Sequence, residues 1–98
     1  MPVFAVTYHY VDQPDVLAEH RPAHREYLQS LVSSHGLIAA GRTPGGEVDS
    51  ALLLFDTDSS ESVEEALNSD PFWTEGLIVK REILEWTVAI GSVGSGGV

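Results

Sequence analysis

The chain has 98 residues, enough for one domain and one core, and 43% of them are hydrophobic, which suits a folded globule rather than a disordered segment. Fifteen acidic against five basic residues give a net charge of −10, which argues against nucleic acid and against an anionic membrane surface as partners. Cysteine is absent, which excludes disulfides, thiolate chemistry and sulfur-ligated zinc.

Val3–Tyr10 is rich in β-branched and aromatic residues and predicts a strand. Asp12–Asp15 has turn chemistry, and a helix is expected from about Val16 to Ser34, ending at His35-Gly36. Pro22 lies inside that stretch and predicts either a kink after a first short turn or the first residue of the main helix. Leu37–Arg42 predicts a short strand, and Thr43–Ser50 a loop turning at Pro44-Gly45-Gly46. Ala51–Phe55 is a continuous apolar run, the pattern of a strand buried on both faces. Asp58 or Ser59 supplies an N-cap, with Glu61 three residues after Asp58 as in a capping box, and the second helix runs to about Ser69. Asp70-Pro71 stops it, because the residue before proline is pushed out of helical geometry. Pro71–Gly76 reads as a turn or a short irregular helix, and Leu77–Ile90 as the last strand or pair of strands. Residues 1–91 are the expected domain, with 92–98 a flexible Gly/Ser-rich tail.

The order β-α-β-β-α-β is the ferredoxin-like α+β plan, an antiparallel sheet with both helices on one face. The other face would then carry many apolar side chains in the open, and a soluble monomer rarely exposes several hundred Å² of such surface. A homodimer packed sheet to sheet is the expectation. No apolar run approaches the ~20 residues of a membrane-spanning helix, and the N-terminus has no signal-peptide pattern, so a cytoplasmic location is expected.

Helical spacing singles out two polar residues. Leu17, His24, Leu28 and Leu31 recur at one-face intervals on the first helix, which places His24 on the stripe facing the sheet. Val63, Ala66 and Leu67 make the inward stripe of the second helix, and Asp70 continues it. Burying an imidazole or a carboxylate costs free energy unless it is paired, so convergence of the two would make a pair suited to proton transfer. The blander readings are a core histidine bonded to a backbone carbonyl and an Asp-Pro helix stop with its carboxylate in water.

Other chemistries find little support. His9, His20, His24 and Asp70 lack the spacing of a standard metal motif, since Arg21 stands where a catalytic glutamate would follow His20, and no metal or cofactor is expected. There is no Gly-rich phosphate loop and no serine in a nucleophile elbow. An anionic ligand would find positive charge only at Arg21, Arg25, Arg42, Lys80 and Arg81. Phe72 and Trp73 follow Asp70 directly, and either caps the core or walls a pocket for a flat organic molecule.

The chain resembles the YciI-like, or YCII-related, domain family. The likeness rests on Phe4-Ala5-Val6, Arg21-Pro22-Ala23-His24 followed by Tyr27-Leu28, Ala40-Gly41, Asp70-Pro71-Phe72 and Glu75-Gly76-Leu77, and reaches to about Gly91. It implies a ferredoxin-like, dimeric α/β-barrel fold and an active site built on a His–Asp pair, here His24 and Asp70. Proteins of this kind include a dehydrochlorinase of a chlorinated hydroxyhydroquinone, and the wider superfamily holds muconolactone isomerase-like enzymes and cofactor-free oxygenases. Many members carry Gly-Pro where this chain has Gly41-Arg42.

The expected function is therefore a small cofactor-free lyase or isomerase acting on a small organic, possibly cyclic, molecule. His24 is the acid or base and Asp70 orients it. Phe72 and Trp73 wall the pocket, and Tyr8 or Arg42 contacts substrate oxygens. The alternatives are a non-catalytic small-molecule-binding or regulatory module using the same pocket, and a purely structural dimerisation domain.

Overall fold

A computed structural model gives the fold and describes residues 2–44 and 50–93. Its elements are β1 (Val3–Tyr10), α1 (Pro14–Ser34), β2 (Leu37–Thr43), β3 (Ser50–Asp56), α2 (Ser60–Leu67), α3 (Pro71–Thr74) and β4 (Ile78–Trp86). The sheet order is β2-β3-β1-β4 with every neighbouring pair antiparallel, which is the expected ferredoxin-like topology.

Alternation along β1 sets the two faces. Phe4, Val6, Tyr8 and Tyr10 are buried beneath the helices, and Val3, Ala5, Thr7 and His9 lie on the other side. Ala51, Leu53 and Phe55 join the buried face from β3. Leu17, Leu28 and Leu31 come down from α1 and Val63, Ala66 and Leu67 from α2. Full burial of a leucine or phenylalanine contributes about 1.5–3 kcal/mol, so this single cluster carries the fold.

Three local expectations are corrected. Helix α1 begins at Pro14, not Val16, and runs through Pro22 without a break in its assignment. Pro14 takes the first-turn position that tolerates proline. Pro22 and Ala18 both face solvent, so the carbonyl that Pro22 leaves unpaired can bond to water. Ser59, not Asp58, caps α2 by accepting a hydrogen bond from the Ser62 amide, and the helix stops at Leu67. Strand β3 is buried on one face only in the single chain, with Leu52 40% exposed, because no second layer covers that side.

The C-terminal stretch forms one strand, not two, and Val88 and Ile90 lie beyond it. The Gly45-Gly46 turn and most of the C-terminal tail lie outside the described residues. Among the described residues, no helix is long and apolar enough to cross a membrane.

Candidate active site

Asp70 is held by the chain's own local rules. Pro71 forces it to an extended backbone (φ −64°, ψ 128°), which is also the geometry of an N-cap. Its Oδ1 accepts a hydrogen bond from the Phe72 amide at 3.1 Å and so caps α3. The residue is fully buried. The same Oδ1 lies 2.7 Å from Nδ1 of His24, and Oδ2 accepts from the Tyr8 hydroxyl at 3.0 Å.

Three donors therefore surround one sealed carboxylate, the arrangement a buried charge requires. An ionised carboxylate only accepts, so Nδ1 is the nitrogen through which His24 donates to Asp70. Burial, reinforced by the Asp70 charge, pushes the Tyr8 hydroxyl far above the ordinary tyrosine pKa and keeps it a neutral donor.

The imidazole is fixed on its face as well as its edge. Phe72 stacks on it with ring centroids 3.9 Å apart and 6° between planes. Tyr10 meets Phe72 edge-on at 5.4 Å, which locks the phenyl ring in turn. Among the described residues no side chain or backbone group bonds Nε2 of His24. Nε2 is thus the ring nitrogen that Asp70 does not engage.

A hollow of about 690 Å³ opens between α1 and the β2–β3 edge of the sheet. His24 and Arg42 line it, and Asp70, Tyr8, Phe72 and Trp73 do not. Tyr8 and Phe72 instead pack behind the pair, and Trp73 lies against the Arg81 guanidinium at 3.7 Å, with Arg81 also bonded to Asn68. Tyr10, Arg21 and Arg25 also line the hollow and were not singled out as site residues from sequence. A signal for them existed. Tyr10 shares the inward face with Tyr8, and Arg21 stands three residues before His24 on the same helix.

His9 lies on the far side of the sheet, 3.4 Å from Glu82, away from His24. No group of three or more potential metal ligands clusters among the described residues.

Solved structures share this fold. A 5-chloro-2-hydroxyhydroquinone dehydrochlorinase from Burkholderia phenoliruptrix, in complex with 2,5-dihydroxybenzoquinone, superposes with a TM-score of 0.77 at 20% identity, covering 89% of this chain and 95% of that one. A NIPSNAP domain protein from Burkholderia xenovorans gives 0.55 at 16% identity, covering 91% and 95%. A dimeric ferredoxin-like protein from an uncultured marine organism gives 0.52 at 18% identity, covering 95% and 99%. No curated protein matches the sequence. The YCII-related domain matches residues 1–87, nearly the whole of the helix-and-sheet body, and the chain belongs to that family.

Proposed function

We propose that this protein is a small acid–base enzyme of the lyase or isomerase type that acts on a small organic molecule without a resident cofactor. The observation that carries the reading is the 2.7 Å contact of His24 with Asp70, with His24 also lining an open hollow. His24 Nε2 removes a proton from an activated carbon of the ligand. The electron pair of the broken C–H bond forms a new double bond. In an elimination the leaving group departs from the neighbouring carbon with its own bonding pair, and in an isomerisation His24 returns the proton to a different carbon. Asp70 stabilises the imidazolium in between and holds the ring in one tautomer.

Kinship of fold with a dehydrochlorinase that binds a quinone supports a cyclic ligand and an elimination. Trp73 remains a candidate pocket wall only for a ligand that extends past the hollow, whereas Arg42 already lines it. The working unit is a homodimer joined through the open sheet face, which carries Leu52, Leu54, Leu84 and Trp86. A neighbour described as dimeric supports that assembly.

The test is exchange of ligand C–H for deuterium in D2O, followed by proton NMR on ring compounds that raise the melting temperature. The wild-type protein should exchange a specific position, and His24→Gln should slow it about 10²–10⁴-fold. Equal rates in the two proteins would remove His24 from the chemistry and leave a binding module.

A further inference from the structure

The charge of this chain is distributed against its own average. The molecule carries −10 overall, yet three of its five cationic side chains, Arg21, Arg25 and Arg42, line the hollow at His24. Two different elements supply them. Arg21 and Arg25 are one turn apart on α1, and Arg42 stands on β2 directly opposite Ala51. Side chains directly opposite on adjacent strands share a face, and Ala51 is buried under the helices, so Arg42 lies on the helix side as well.

Like charges one turn apart on a helix repel, and among the described residues neither Arg21 nor Arg25 has a carboxylate partner to offset this. The carboxylate of Asp70 does not line the hollow, and its hydrogen-bonding capacity is taken up by Tyr8, His24 and Phe72. The rest of the wall is mixed: Val32 and Ile38 offer hydrocarbon to the same space, beside Tyr10 and Gln29.

We infer that the ligand of this site is an organic anion: an apolar body, resting against Val32 and Ile38, that carries a carboxylate or similarly delocalised oxyanion held by the arginines. Guanidinium groups match such oxygens in geometry and remain charged at every working pH. Resting on His24 as the proton-transfer group, this names the substrate class. The arginines also supply what the proposed reaction needs, because a carbanion formed next to a carboxylate or enolate drives negative charge onto oxygens that they hold. The net negative charge then acts as a filter, since anions are repelled by the surface at large and favoured only here.

Benzoate is the probe, with benzamide as its neutral analogue and inorganic phosphate as an oxyanion lacking the apolar body. Each is titrated to about 10 mM against the full-length protein, followed by amide chemical shifts. Benzoate should give saturable shifts around His24, Arg25 and Ala40–Arg42, at least ten-fold tighter than benzamide or phosphate. Arg25→Gln and Arg42→Gln should each weaken benzoate about three- to ten-fold, and the double variant more than either. His24→Gln should still bind benzoate. Equal binding of benzamide, equal binding of phosphate, no saturable shift with benzoate, or indifference to both arginine variants would each overturn the assignment. The two readings fail separately: loss of deuterium exchange in His24→Gln with arginine-independent binding sinks only the anion, and arginine-dependent binding with unchanged exchange sinks only the base.

Discussion

Nδ1 of His24 and Oδ1 of Asp70 are 2.7 Å apart across 46 residues of sequence, with the carboxylate sealed and the imidazole open on its other edge. A purely structural pair needs no edge at a hollow, and the proposed role in proton transfer does. Replacing His24 by Gln removes the base and nearly preserves the volume. Turnover of an identified substrate should fall about 10²–10⁴-fold, while the circular dichroism spectrum stays that of the wild type.

Asp70 carries more of the fold than His24 does. Replacement by Ala would leave the Tyr8 hydroxyl, the Phe72 amide and His24 Nδ1 without their acceptor in the interior. Breaking a buried charged pair costs about 3–5 kcal/mol, and loss of a helix cap about 1 kcal/mol more. Urea unfolding of Asp70→Ala should register a loss of that order. A change under about 1 kcal/mol would mean that the three donors find other partners.

The buried Tyr8 hydroxyl gives a signature at alkaline pH. Its folded pKa is raised above the ordinary tyrosine value near ~10. Below that pH both states hold the proton and stability is unaffected. Above it the unfolded chain loses the proton while the folded chain keeps it, so stability falls as pH rises, by at most ~1.4 kcal/mol per pH unit. Tyr8→Phe is less stable at neutral pH, through the unpaired Oδ2 of Asp70, but lacks this slope. Unfolding free energies measured from pH 8 to 11 should therefore converge between the two proteins, and parallel curves would contradict the burial argument.

Gly36 is a one-residue test of how the helix is joined to the sheet. It follows α1 with φ +74° and accepts the Asp56 amide at 2.8 Å through its own carbonyl. A Cβ there would press on the Asp56 carbonyl oxygen, well inside contact distance. Gly36→Ala should lose more than the ~1 kcal/mol of left-handed strain alone, read as a lower urea midpoint.

The strand and helix order and the convergence of His24 with Asp70 were legible in sequence because they follow periodicity. His24 recurs with Leu17, Leu28 and Leu31, and the fold obeys that spacing. The capping role of Asp70 was half legible. Asp-Pro signals a helix stop, but only the tertiary fold shows the same carboxylate starting α3 and receiving two distant donors. Trp73 and Arg81 were beyond reach, since their stacking depends on where β4 passes the end of α3. The arginine-lined hollow was visible only as a short inventory of cations, because which of them share a space is set by β2 lying beside α1.

The open sheet face yields the last expectation. Leu84 pairs with Ala5 and Trp86 with Val3, both on the side away from the helices, and they are 62% and 44% exposed. Leu52 and Leu54 extend the same surface across β3. A patch of this kind is stable in water only when covered, and a second copy offers a self-complementary cover about a two-fold axis. Light scattering should give twice the 10.6 kDa chain mass at micromolar concentration. Leu84→Glu places a charge at the centre of that contact, where its burial has no partner, and should return the monomer mass with helix content unchanged. A wild-type protein that elutes at the single-chain mass would mean that this face stays wet, and the dimeric form of the proposed enzyme would fall with it.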